Sequence, residues 1–316
     1  MSVYTLLALP DIQDFLRHYA LPPAQRLDPI KGGIENSNYF LTLADGRELV
    51  LTLFEELSAD NAAFLGPLLN HLDAAGVPVA APLPDRHGAF LHTLAGKPAQ
   101  LAPRRHGGHP DTPDAADCAT MGAALAQLHL ALQDYSLPRP NAHGPEWWNE
   151  VAARWLPRLP QVERELMQEV LRRYEKVCGD YPELPRGLIH GDLFRDNTLF
   201  DAGHVSAILD FSETSRDHWL LDIAITENDF CRAWLGAAPD AGRSAAFLKG
   251  YGDVRALAAA ETSALPVFRA VAAMRFWLSR LDTGARNASE GRGGEHVLEK
   301  DPAEMRNLCA GLLAAL

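Results

Sequence analysis

The chain reads as an α+β protein of two lobes, a small antiparallel-sheet N-terminal lobe and a larger, mainly helical C-terminal lobe, and three observations predict it. Between Leu27 and Phe54 lie three short apolar segments parted by turn residues, which is strand patterning. Beyond Asp111 apolar residues recur at helical spacing in one segment after another. One stretch interrupts that helical half: Leu188 to Glu213, LIHGDLFRDNTLFDAGHVSAILDFSE, whose two apolar runs flank a turn as in a hairpin. A length of 316 residues suits two domains with a substantial core, and the expected division places residues 1–101 in the first lobe and 102–316 in the second.

Taken in order, Ile12, Phe15, Leu16 and Tyr19 sit at helical spacing and predict a short amphipathic helix ahead of the sheet. Strands follow around Leu27–Ile30, Tyr39–Leu43 and Leu49–Phe54, the last two joined through Ala44-Asp45-Gly46. Between the first two, Lys31-Gly32-Gly33-Ile34-Glu35-Asn36-Ser37-Asn38 reads as a loop, in which paired glycines let backbone amides approach a phosphate. Ser58 or Asp60 is placed to cap a helix bearing Phe64, Leu65, Leu68, Leu69 and Leu72, which ends at Ala75-Gly76. Short strands are expected at Val77–Leu83 and Ala89–Leu94, and Gly96 to Pro103 completes the lobe and runs into a hinge near Leu101. Asp111 or Thr112 opens a long helix carrying Met121, Leu125, Leu128, His129 and Leu132, where His129 reads as a hydrogen-bonded core histidine. A Pro-rich loop, Leu137–Pro145, and a helix over Val162–Val177 precede the interrupting stretch. Helices follow over His218–Trp234, Arg243–Tyr251, Glu261–Leu281 and Pro302–Leu313, with the polar, Gly-rich Thr283–Glu295 as a mobile loop.

Composition narrows the function classes. A hydrophobic fraction of 47% and a charged fraction of 22% are those of a globular protein, and no apolar stretch reaches membrane-span length, so no membrane partner is expected. A formal charge of −12 argues against a nucleic-acid partner. The four cysteines, Cys118, Cys178, Cys231 and Cys309, form no Cys-x-x-Cys pair, so neither a zinc centre nor a disulfide framework is suggested. His106 and His109 belong to a solvated connection rather than a metal site. MSVYTLLALPDIQDF lacks the basic region of a signal peptide, so the cytoplasm is the expected location.

Chemistry concentrates in the interrupting stretch. Asn197 follows Asp192 by five residues, and Asp210 closes the second apolar run. Pairing Phe200 with Val205 sets Asn197 opposite Ile208, with Asp210 and Asn197 roughly 7 Å apart along the strand direction. An amide carbonyl and a carboxylate suit a hard cation that keeps waters and takes phosphate oxygens, as magnesium does with a nucleotide. The order also matches kinases, in which a loop Asp accepts the proton of the attacking hydroxyl and an Asn and a later Asp hold magnesium.

HGDLFRDN followed by ILDFS resembles the phosphotransferases of the aminoglycoside phosphotransferase and choline kinase group, which share the protein-kinase-like fold. That resemblance implies ATP and Mg2+ as cofactors bound between the lobes, Asp192 as catalytic base, Asn197 and Asp210 as magnesium ligands, and Asp222 as a buried brace. It also implies Lys31, Gly32, Gly33, Asn36, Ser37 and Asn38 over the phosphates and the backbone near Leu101 at the adenine. A narrower similarity, through IKGGIENSNYFL, ELVLTLFEEL and MRFWLSRL, is to the homoserine kinases of this fold, and implies L-homoserine as the alcohol. Thr52 stands where protein kinases carry a strand lysine, with Lys31 the nearest cation to substitute. Glu227, Asn228, Arg275 and Arg280 are candidate contacts for the ammonium and carboxylate of such a substrate. The rivals are the same fold acting on choline, an amino sugar or an aminoglycoside; a nucleotide-binding pseudokinase; and a metal-dependent hydrolase using His190, Asp192, Asp196 and Asp210.

Overall fold

The computed structural model describes residues 4–30, 36–232, 238–289 and 300–316. It divides into two compact units, Met1–Gly107 and Gly108–Leu316.

In the first unit a 3₁₀ turn, Leu9–Ile12, leads into the one-turn helix α1 (Gln13–Leu16). Strands β1 (Ala24–Pro29), β2 (Asn36–Leu43) and β3 (Glu48–Phe54) follow, then α2 (Ala59–Ala62), α3 (Leu65–Ala74), β4 (His92–Leu94) and β5 (Lys97–Pro103). The sheet is antiparallel in the order β1-β2-β3-β5-β4. Period-two burial is strict along β2 and nearly so along β3, so Tyr39, Leu41, Leu43, Leu49, Leu51 and Leu53 line one face and form a core with Ile12 and Phe15. Ser58 caps α2 by accepting the Asn61 amide. The expected strand at Val77–Leu83 is absent: Val79 forms only an isolated bridge, in a stretch where Pro78 and Pro82 lack amide donors.

The second unit comprises α4 (Ala115–Ala131), α5 (Pro145–Trp155), α6 (Gln161–Asp180), β6 (Arg186–Ile189), β7 (Thr198–Asp201), β8 (His204–Ile208), β9 (Ser215–His218), α7 (Trp219–Phe230), α8 (Ala241–Val254), α9 (Ala259–Ser289) and α10 (Pro302–Ala314). Two corrections to local expectation are capping effects. Asp114, not Asp111 or Thr112, caps α4, its side chain accepting the Ala116 and Asp117 amides. The expected Pro-rich loop ends one residue early because Pro145 begins α5, where a missing amide costs nothing. Helix α9 continues through Ser289, so Thr283–Ser289 is helical rather than loop, and residues 290–295 of that expected loop lie outside the described ones. Helices α4 and α8 touch backbone to backbone. A Cβ on Gly122 would strike Phe247 O, and one on Gly250 would strike Ala119 O. No described helix is long and apolar enough to cross a membrane.

Candidate active site

Helix α7 carries Asp222 and Asp229 seven residues apart, hence on one face, and both carboxylates hold the loop between β6 and β7. Asp222 is fully buried. Its Oδ2 accepts the His190 amide at 2.7 Å and its Oδ1 the Gly191 amide at 2.8 Å. His129 Nε2–H donates to Oδ2 at 3.1 Å, and the Tyr251 hydroxyl donates to His129 Nδ1 at 2.8 Å. The α4–α8 approach therefore sets this relay. Burial would raise the Asp222 carboxyl, but the His129 hydrogen bond and the Gly191 amide outweigh it and hold the group below its ordinary range. Burial keeps His129 below the usual imidazole range, so it is a neutral core ring. On the other side of the loop, Asp229 Oδ2 accepts the Arg195 amide at 2.8 Å.

His190 orders the loop internally. Its Nε2–H donates to Leu209 O at 2.8 Å, and its Nδ1 accepts the Asp192 amide at 3.3 Å, a tautomer assigned from those partners. Both ring nitrogens are engaged, so His190 has no lone pair for a metal and the hydrolase reading loses its imidazole. Gly191 has φ +82°, and a Cβ there would lie 3.0 Å from Glu213 O.

Asn197 Nδ2 donates to Asp192 O at 2.8 Å and to Asp192 Oδ2 at 3.2 Å, while the Leu209 amide donates to Asn197 O at 2.9 Å. The hairpin turns on Ala202 and Gly203, both at positive φ, as a two-residue turn requires. Phe200 pairs with Val205 as expected, but Leu199 pairs with Ala207, leaving Ser206 as a bulge. The extra residue puts Thr198, not Asn197, opposite Ile208. Asp210 adopts φ +55°, a left-handed conformation that Asp tolerates at some cost, and its Oδ1 accepts the Ser212 hydroxyl at 2.6 Å. Asn197 Oδ1 and Asp210 Oδ2 have no hydrogen-bond partner among the described residues. This pair of hard oxygen donors fits a magnesium-type cation.

Asp192 is part-buried, and its carboxyl is raised well above the ordinary range by burial, opposed by Arg275 and reinforced by Asp210, Glu213 and Asp196. Arg275 is the one candidate substrate contact that reaches this loop: its Nη1 donates to Gly191 O at 2.6 Å and its Nη2 to Glu213 Oε2 at 3.3 Å. His143 Nδ1–H donates to the same Oε2 at 2.6 Å. The other three candidates join helices instead. Glu227 is fully buried and paired with Arg269 Nε at 2.8 Å and Nη2 at 2.5 Å, while Asn228 Nδ2 donates to Arg269 O at 2.8 Å. Arg280 binds Asp301 O at 2.7 Å and Glu304 Oε2 at 2.8 Å.

In the first unit, Lys31, Gly32 and Gly33 lie outside the described residues. Asn36, Ser37 and Asn38 stand in β2 rather than in a loop, because the ladder with β3 extends to Asn36↔Phe54. Ser37 is buried; its hydroxyl donates to Glu55 and accepts the Tyr4 and Thr5 amides. Thr52 Oγ1 donates to Asn38 Oδ1 at 2.8 Å. Leu101 is buried in the sheet core opposite Leu51, and its carbonyl accepts the Leu83 amide at 2.7 Å, since β5 runs on to Pro103. Lys97, on β5, forms an ion pair with Glu55. Sequence reasoning missed Asp229, Glu213 and His143. The seven-residue step from Asp222 marks Asp229, but His143 and Glu213 carry no local signal, because they meet across 70 residues.

The phosphotransferase enzyme family matches residues 26–257. A homoserine kinase of Neisseria meningitidis is 39% identical over 312 residues, covering 99% of this chain and 100% of its own. One from Polaromonas naphthalenivorans is 40% identical over 283 residues, 89% of each chain. Among solved structures, a microcompartment-associated aminopropanol kinase superposes with a TM-score of 0.69 at 19% identity, over 97% of this chain and 96% of its own, a likeness of fold.

Proposed function

The chain belongs to the phosphotransferase enzyme family, and from that premise we propose that it transfers the γ-phosphoryl group of ATP to the side-chain hydroxyl of L-homoserine, the step that yields O-phospho-L-homoserine for threonine biosynthesis. The substrate follows from relatives of that activity at 39–40% identity along most of the chain. One observation carries the chemistry: Asn197 Nδ2 is bonded to Asp192 while Asn197 Oδ1 and Asp210 Oδ2 have no hydrogen-bond partner among the described residues.

On this reading Asp192 accepts the hydroxyl proton as the oxygen attacks phosphorus, and its raised carboxyl pKa suits a proton acceptor. His190 and Asp222 hold the loop backbone so that Asp192 keeps one orientation. Asn197 and Asp210 would hold magnesium, which would supply neutralisation of phosphate charge. Lys31, Gly32, Gly33 and Asn36 remain the proposed phosphate contacts. Ser37 and Asn38 have less to offer, because Glu55 and Thr52 already engage their side chains, and Leu101 contributes shape rather than a hydrogen bond.

The test is coupled ADP release with magnesium and ATP across L-homoserine, L-serine, choline and an aminoglycoside, with Asp192→Ala as control. Turnover selective for L-homoserine and lost in the variant is expected. Selective turnover of another alcohol overturns the substrate, and tight nucleotide binding with no turnover overturns the transfer reaction.

A further inference from the structure

Buried carboxylates in this protein that hold elements together use both oxygens. Asp222 binds amides through Oδ1 and Oδ2, Glu227 meets Arg269 through Oε1 and Oε2, and Glu261 meets Arg255 through one oxygen to each Nη. Glu213 departs from this pattern. His143 and Arg275 both bind its Oε2, and Oε1 has no partner among the described residues. Its side chain is 33% exposed, whereas that of Glu227 is 0% exposed. Burial is outweighed by the His143 hydrogen bond and the nearby Arg275 and Arg139, so the carboxyl lies below its ordinary range and carries charge at neutral pH.

We propose that Glu213 Oε1 is the anchor for the substrate's ammonium group, so that the acceptor site selects a primary alcohol bearing an amine. The inference rests on the homoserine kinase reading and deepens it. Arg275 joins the anchor to the catalytic loop, since one of its nitrogens binds Gly191 O, immediately before Asp192, and another binds Glu213. His143, packed edge-on against Trp147 at 4.9 Å, holds Glu213 through Oε2 alone. In homoserine three carbons part the hydroxyl from the ammonium, so on this proposal the hydroxyl addresses Asp192 while the ammonium addresses Glu213.

The experiment compares wild type with Glu213→Gln, near-isosteric but neutral, on L-homoserine and on 4-hydroxybutyrate, which keeps the hydroxyl and carboxylate but lacks the amine. The expected result is a KM for L-homoserine raised roughly 10- to 100-fold with kcat little changed. The discriminating readout is the difference between the two substrates: kcat/KM for L-homoserine is expected to fall about tenfold or more further than kcat/KM for 4-hydroxybutyrate, which has no ammonium to lose. Glu213→Asp, which keeps the charge but withdraws it, should fall between. Equal loss on both substrates, or no loss on L-homoserine, overturns the anchor while leaving the kinase reading intact. Wild type inactive on L-homoserine but active on another amino alcohol, with the same KM effect in Glu213→Gln, overturns the substrate and keeps the anchor.

Discussion

Two aspartates lie within one loop's reach of each other and ionise in opposite senses. Asp222, on the buried helix α7, is wholly withdrawn from water yet held below the ordinary carboxyl range, because two amides and an imidazole N–H point at it. Asp192, in the loop that Asp222 supports, is more accessible yet raised well above that range: burial raises it, the Arg275 guanidinium opposes the rise, and three further carboxylates add to it. Burial is the first contribution to both, so burial does not decide between them; the donors do. The fold concentrates hydrogen-bond donors on the supporting carboxylate and leaves the reactive one short of them.

The largest expected effect on this contrast comes from removing the reactive member. Asp192→Ala should lower turnover on the order of 10³-fold, with nucleotide affinity measured by calorimetry little changed. Retained turnover would show that the raised carboxyl is not the proton acceptor. Next is the supporting member. Asp222→Ala strands the His190 and Gly191 amides and the His129 N–H, and should cost about 3 kcal/mol or more in urea unfolding. Because the folded pKa of Asp222 is depressed, its stabilisation is fully present above the ordinary carboxyl range and is lost as pH falls through the folded value.

A smaller effect is expected from the helix contact behind Asp222. Gly122→Ala pushes α4 off Phe247 O on α8 and with it parts His129 from Tyr251, at about 2 kcal/mol by thermal unfolding. An unchanged melting temperature would mean that the helices separate freely and that the relay is not set by their approach. The smallest effect runs in the opposite direction. A raised folded pKa means that charged Asp192 lowers stability above that value, and that this cost is relieved as pH falls through it. Asp192→Asn should therefore be more stable than wild type at neutral pH, on the order of 1 kcal/mol, with the gain vanishing in the ordinary carboxyl range. A variant less stable at neutral pH would contradict the raised ionisation and remove the contrast.

The reactive half of the site was legible because its members are close in the chain. His190, Asp192, Asn197 and Asp210 span a single loop and hairpin, and hairpin pairing is a local rule. The rule was misapplied by one residue, since nothing in the chain marks Ser206 as a bulge. In the first unit the three main strands were readable from their apolar runs. Asn36, Ser37 and Asn38 were not, because polar residues suggest a loop unless one knows that Glu55 and Thr52 stand ready to satisfy them.

By itself the sequence determined which residue types stand at catalytic spacing, and where the three main strands and most of the long helices run, since these depend on neighbours a few residues apart. Tertiary structure decided which charged side chains serve the site. Arg275 and Arg280 lie on the same helix, and five residues turn their side chains roughly 140° apart. Arg275 meets Gly191 and Glu213, while Arg280 meets Asp301 and Glu304. Helical periodicity says only that the two face differently; which face meets the catalytic loop depends on partners far away in the chain.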